Sequence, residues 1–224
     1  MVSRIDRKKM VDTALRLLNE VGLDKLTVRR IATELGVQAP ALYWHVRNKQ
    51  ELLDEMATEM MRRMATPLLV ELEPEPGVPW QEQLAEVCRG LRRGLLGYRD
   101  GAKVFSGTRM VGHGYAEPYD VFLRRLVGAG FAFPDAVRAW WTAYNFTVGL
   151  VIEEQSVHPD PAHPEYRDPA YDDAERTARL GDRYPYAARA GAELFGDIER
   201  NFETGLRIII AGIEATAEIR PDAR

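Results

Sequence analysis

The chain reads as an all-α protein with a small helix-turn-helix domain at its N-terminal end and a larger helical domain behind it. Three observations predict this. Apolar residues recur at the three-and-four spacing of a helix face through most of the 224 residues. No stretch shows sustained apolar/polar alternation with β-branched enrichment, the mark of a strand. Finally, residues 1–50 hold ten Lys+Arg against five Asp+Glu, a net +5, so the remainder carries −9 to reach the overall −4. A basic first fifth on an acidic protein sets one end apart to face phosphate, because neutralising phosphates releases counterions.

The elements follow in order. A first helix is expected over about 6–21, with Met10, Ala14, Leu17, Leu18 and Val21 inward and Gly22 as its stop. Residues 26–49, LTVRRIATELGVQAPALYWHVRNK, then give a short helix, a glycine turn and a second short helix. Thr27 is suited to cap the former, whose buried stripe is Ile31, Ala32 and Leu35. Gly36 can take the positive φ that a helix C-cap favours. The next helix opens on Gln38 and Pro40, where a missing N–H costs nothing, and is anchored by Leu42 and Val46. Tyr43, His45, Arg29 and Lys49 are left outside. Asn48 with Glu51 reads as a capping box for a linker helix through about residue 65.

The stretch 67–79, PLLVELEPEPGVP, has too many prolines to stay helical and separates the linker from the larger domain. This predicts a helix-turn-helix domain at 1–47, a linker helix at 48–66 and a body at 67–224. In the body, helices are expected at about 80–96, 100–107, 115–129, 134–157 and 188–218. Between the last two, a segment rich in Pro, Asp and Tyr predicts a long mobile loop with one helical turn around 172–180. The two longest helices are too apolar to bury within one small subunit, which predicts a homodimer through a four-helix interface.

Composition excludes several classes. There is no run of about 18 apolar residues and the N-terminus is charged from Arg4, so no membrane span or secretory signal is expected and the chain is placed in the cytoplasm. The single Cys88 can form no internal disulfide and reads as a buried small hydrophobe, while no CxxC or His/Cys cluster suggests zinc. No cofactor is expected.

The helix-turn-helix residues carry the chemistry of a palindromic double-stranded DNA operator. Arg29 is suited either to a bidentate contact with guanine O6/N7 or to a phosphate clamp. Gln38 has the amide geometry for adenine N6/N7, and Pro40 and Ala41 offer apolar contact to a thymine methyl. Tyr43, Lys49 and the Thr27 hydroxyl suit phosphate, which sets register. His45 either contacts phosphate or braces Tyr43. Two heads on a two-fold axis would fit major grooves about 34–36 Å apart.

Residues 1–57 closely resemble the DNA-binding domain of the TetR family. The motifs YRDGAKVFSGTR at 98–109, FTVGLVIEEQ at 146–155 and GLRIIIAGIEA at 205–215 extend the resemblance to the core of its tetracycline-repressor branch. The resemblance implies that Thr27, Arg29, Pro40, Tyr43, His45 and Lys49 face DNA. It also places Val28, Gln38, Ala39 and Ala41 at DNA-facing positions where that branch has Thr, Glu, Gln and Thr. The operator is therefore expected to differ from the tetracycline one.

The resemblance further implies release by a small-molecule inducer. In that branch the drug arrives as a magnesium chelate anchored by one histidine, and the matching position here is Phe105. A phenyl ring offers no lone pair to a cation that demands hard donors. Thr108, Arg109 and Glu153 match residues near that site. Ala65, Val87, Leu91, Phe122 and Asn145 replace its polar or aromatic groups. With Met110, Trp140, Trp141 and Tyr144, these positions describe a mainly apolar, aromatic site for a multi-ring ligand such as an antibiotic or natural product. Adjacent on one helix, Trp140 and Trp141 point apart, so that one serves pocket or core and the other the interface. The competing reading is that the rings merely fill core. Magnesium-tetracycline, held through Glu153 and Glu154, is the alternative ligand. The expected mechanism is that a ligand near Phe105–Met110 shifts that short helix, tilts the linker helix and alters the spacing of the heads.

No enzyme is expected. Glu153 and Glu154 are adjacent and point to different sides, and no GxSxG, P-loop or dinucleotide fingerprint occurs. His158, Asp160 and His163 lack a fourth metal ligand, and His113 also lies in or beside a loop. A drug-sequestering protein is the remaining rival, but it has no need of a basic reading head.

Overall fold

A computed structural model of the chain describes residues 6–71, 78–112 and 114–219. Arg4, the centre of the proline-rich stretch (72–77) and His113 lie outside them. Among the described residues the protein is all-α, and its only β pairing is an isolated bridge between Phe131 and Ile219. No described helix is long and apolar enough to cross a membrane. The chain divides into two compact units: residues 1–78 with 89–122, and 79–88 with 123–224.

The first unit begins with α1 (Arg7–Lys25), capped by the Asp6 carboxylate accepting from the Lys9 N–H at 2.7 Å. Met10, Val11, Ala14, Leu15, Leu17 and Leu18 form its buried face. Gly22 breaks the regular helix where the sequence predicts its stop: φ +75° and ψ 169° are non-helical, and only a short turn to Lys25 follows. The positive φ favours glycine at position 22, and an added Cβ would also crowd Arg99 Nε and Asp100 Oδ2 at 3.2 Å. α2 (Val28–Glu34) starts on Thr27, whose hydroxyl accepts from the Arg30 N–H at 3.1 Å. Gly36 takes φ +69°, and α3 (Ala39–Leu42) follows with Pro40 in its first turn. Leu42 and Val46 are both 1% exposed, as their spacing predicts.

α4 (Lys49–Glu71) runs past the expected end near residue 65 and carries Pro67 inside it. A proline costs one backbone hydrogen bond and some strain, and a helix already packed by its preceding four turns can absorb that. Asn48 Oδ1 accepts from the Glu51 N–H at 2.9 Å, and the Glu51 carboxylate reaches back to the Arg47 N–H at 2.7 Å. This is a capping box displaced by one residue. α4 packs on α1 and on α6 (Gly101–Phe105), whose N-cap Asp100 is the only non-glycine residue with positive φ among the described residues (+54°). Its Oδ2 accepts from the Leu23 N–H at 3.0 Å. Asn19 holds the same turn through its contacts with the Arg99 N–H (2.9 Å) and the Gly97 carbonyl (3.3 Å).

α5 (Trp80–Leu96) contributes residues through Cys88 to the second unit and the remainder to the first, and α7 (Ala116–Gly128) divides after Phe122. In the second unit α8 (Phe133–Val157) packs against α11 (Ile198–Thr216), where Phe146 stacks on the fully buried Phe202. Cys88 is fully buried. The expected helix over 188–218 is two: α10 (Pro185–Phe195) and α11. Asp197 caps α11 by accepting from Arg200 N, and the Asn201 amide donates to the Glu193 and Leu194 carbonyls left open at the end of α10.

Within the segment 158–187, expected as a loop, aspartates cap successive local turns. Asp160, Asp168 and Asp172 accept from the Ala162, Ala170 and Glu175 N–H groups, and Arg167 donates to the Phe195 and Tyr171 carbonyls. The helical turn expected around 172–180 is α9 (Asp173–Leu180).

Candidate functional site

Around α2 and α3, two short helices and a glycine turn expose a contiguous set of side chains. Arg29, Gln38 and Pro40 are exposed, Tyr43 is 53% exposed, and Val28, Ala39, Ala41 and His45 are half-buried. The Arg29 and Gln38 side chains make no hydrogen bond or ion pair within the described residues, so their donors remain available to base edges. Thr27 uses its oxygen as the cap acceptor. Lys49 is exposed, yet its ammonium already donates to the Leu23 carbonyl at 3.2 Å, tying α4 to the end of α1. The His45 carbonyl accepts from Arg7 at 3.0 Å, and Arg7 also pairs with Glu55.

Two exposed groups escaped the sequence reading. Trp44 is 89% exposed, and the Arg47 side chain is 90% exposed with its Nε 3.9 Å from Glu51. The signal was available. Trp44 sits between two residues already assigned outward, and an indole on a solvated face fits sugar–phosphate or base contact rather than core.

Behind this face, the same unit carries a chain of polar contacts along α4. Arg62 and Arg63 both donate to Glu59, and Arg63 also pairs with Asp12 of α1 and donates to the Tyr98 hydroxyl at 3.4 Å. The Arg62 guanidinium, with Arg63 beside it, holds the Glu59 carboxyl at about 2 against burial that pushes it up. Further along, the Arg109 N–H donates to Asp54 Oδ1 at 3.0 Å and the Val111 N–H to Thr58 Oγ1 at 2.9 Å. The turn that closes α6 is held by the Thr108 hydroxyl donating to the Phe105 carbonyl at 2.9 Å.

The expected ligand residues are placed as follows. In the first unit Ala65, Leu91, Phe105 and Phe122 are buried, Phe105 at 2% exposure, whereas Thr108 and Met110 are half-buried and Arg109 is exposed. In the second, Val87 is buried and Glu153 exposed. Trp140 is half-buried and Trp141 61% exposed, yet both rings meet Tyr144: Trp141 stacks on it at 5.5 Å and 15°, Trp140 tilts against it at 5.6 Å. Burial raises the Tyr144 phenol above its ordinary value. The Asn145 amide is committed to its own helix, donating to the Trp141 carbonyl at 2.7 Å. His158 contacts the Tyr166 carbonyl and His163 pairs with Glu165, and no cluster of metal-ligating side chains forms among the described residues.

Residues 10–56 match the family described as bacterial regulatory proteins, tetR family, and residues 73–217 match the tetracyclin repressor-like C-terminal domain. The class A tetracycline repressor protein from transposon 1721 of Escherichia coli is 38% identical over 95% of this chain and 92% of its own length. A possible TetR family transcriptional regulator from Streptomyces coelicolor A3(2) superposes with a TM-score of 0.78 at 39% identity, covering 94% of this chain and 99% of that one. A TetR variant from Acinetobacter baumannii AYE, solved in complex with minocycline, gives a TM-score of 0.69 at 31% identity, covering 94% and 97%. The helix-turn-helix geometry and the matches along both parts of the chain lead to one conclusion: the chain belongs to the TetR family of DNA-binding bacterial regulators, with a tetracyclin repressor-like C-terminal domain.

Proposed function

We propose that the protein is a cytoplasmic transcriptional repressor that binds a palindromic operator as a homodimer and is released by a small, mainly apolar multi-ring molecule. The observation that carries the ligand class is Phe105. It stands where the resemblance expects a metal-anchoring histidine, is fully buried, and lies at the end of α6 against α4. Leu91 and Phe122, both buried, supply further apolar surface in the same unit, and a ligand seated against them is held by burial rather than by a chelated cation.

Release needs only that the ligand prefer the form that does not fit DNA. A ligand that displaces α6 acts on α4 through the packed contact and through the Asp54 and Thr58 hydrogen bonds, and α4 follows α3 after the six residues 43–48. A preference of about 3 kcal/mol for the released form weakens operator binding roughly a hundredfold. Support for the second copy comes from α8 and α11, which expose Trp141 and Ile208 (68%) on long helices with apolar faces.

The test is calorimetric titration of the protein with a panel of apolar polycyclic antibiotics and with tetracycline, each with and without magnesium. An apolar compound that binds with negative heat-capacity change and no magnesium dependence supports the reading. Tetracycline binding that appears only with magnesium overturns it in favour of a chelate held through Glu153 and Glu154.

A further inference from the structure

We infer that Arg7, paired with Glu55, is a positioning residue for the turn that follows the reading helix, residues 43–48, and so aims Trp44 and Arg47 at DNA without touching DNA itself. This rests on the operator-binding function proposed above and names a residue that sets its specificity. By charge alone Arg7 is one more cation in the basic first fifth of the chain, suited to phosphate. The structure commits it elsewhere. Arg7 opens α1 directly after the Asp6 cap, and its two terminal nitrogens go to different partners. Nη2 donates to the His45 carbonyl at 3.0 Å, and Nη1 donates to the Glu55 carboxylate on α4.

Two carboxylates one helical turn apart on α4 thereby hold the same short span of backbone. Glu51 accepts from the Arg47 N–H at 2.7 Å. Glu55, about 6 Å further along the helix, holds the His45 carbonyl through Arg7. Between them the Val46 N–H donates to the Leu42 carbonyl at 3.1 Å. With backbone groups of three successive residues fixed, the Trp44 and Arg47 side chains are left in solvent. α3 spans only Ala39–Leu42, too short to hold a direction by its own hydrogen bonds, so the aim of the turn depends on these outside contacts. A fully exposed ion pair would contribute little to that. The Glu55 carboxylate, however, is mostly buried, and Arg7 is the one cation paired with it among the described residues. Removing Arg7 alone therefore leaves a buried charge uncompensated.

The test is fluorescence-anisotropy titration of two duplexes of equal length over a range of salt, one carrying the palindrome upstream of the protein's own gene and one with that palindrome scrambled. The double variant Arg7→Met with Glu55→Gln keeps an unbranched stem, removes the clamp, leaves no unpaired buried charge and has the parent's net charge. It should bind the palindrome roughly tenfold more weakly, the loss expected for one charge-assisted hydrogen bond, with scrambled-duplex affinity and salt slope as in the parent. Arg7→Lys keeps the charge beside Glu55 but offers one nitrogen where two are used, and should lose palindrome affinity in the same direction. A merely structural Arg7 would lower the melting temperature and leave the discrimination of the folded variants intact, so parent-like discrimination by both variants overturns the proposal. Weaker binding of both duplexes by the double variant, with the slope of log affinity against log salt lower by about 1, makes Arg7 a phosphate contact and also overturns it. A parent chain that does not prefer the palindrome overturns the proposal together with the operator reading, whereas a discriminating parent matched by its variants overturns the positioning role alone.

Discussion

Gln38 and Arg47 both stand exposed on the head, but their chemistry separates what substitution should do. Gln38→Ala removes a base-edge contact. It should cost about 1–3 kcal/mol on the preferred operator and flatten discrimination at one base pair, read by competition with single-position operator variants. Arg47→Ala should weaken binding evenly across sequences and lower the slope of log affinity against log salt by about 1. Glu59 makes a pH-dependent contribution. Its folded value near 2 lies below the ordinary 4.5, so its stabilisation is complete above about 4.5 and is lost as pH falls from there toward 2. Glu59→Gln should cost about 1–2 kcal/mol in urea unfolding at pH 7, after discount for the exposed Arg62, and the gap to the parent should close toward pH 3. At this scale the sequence was legible where residue type dictates geometry, as at the Thr27 cap, the positive-φ Gly36 and the buried pair Leu42 and Val46. It did not show that the exposed Lys49 ammonium also donates to the Leu23 carbonyl, since a long side chain reaches a phosphate or a helix C-terminus equally. Trp44 was passed over although its neighbours Tyr43 and His45 were both read as outward, the signal that would have placed it.

Among the elements, α5 and α8 match their expected spans to within a residue because each has an unbroken apolar period and a distinct start. The misreadings share a cause, in that local signals were outweighed by packing or supplied by spaced polar residues. Pro67 did not end α4. The segment 158–187 is poor in aliphatic residues yet carries three aspartates that cap their own turns, and Asp197 with Asn201 splits the last expected helix in two. The contact between α8 and α11 offers a direct test of packing. A Cβ on Gly205 would lie 2.4 Å from Phe146 Cζ, inside the stacked Phe146–Phe202 pair. Gly205→Ala gains helix propensity of about 1 kcal/mol but must displace an aromatic ring, which costs about 1–3 kcal/mol. The balance should appear as a lowered melting temperature, with a Phe146→Leu second change restoring part of it.

For the molecule as a whole, composition and charge located the reading head before any helix was placed, since a +5 segment on a −4 protein leaves few other roles. The candidate ligand residues were less legible. They come from both compact units, and sequence spacing cannot show which of several buried rings line a cavity and which fill core. The homodimer is testable at this scale. Ile208→Glu places a charge on the exposed face of α11 and should shift the protein to monomers in sedimentation velocity, and operator affinity should fall by at least tenfold because two half-sites no longer bind as one. The most direct measurement is fluorescence anisotropy of a labelled duplex carrying the palindrome upstream of the gene, with protein bound and ligand titrated in. Release by an apolar polycyclic compound, with magnesium-tetracycline inert, is the expected result. Release by tetracycline that depends on magnesium, or ligand and operator binding the same dimer without affecting one another, would contradict it.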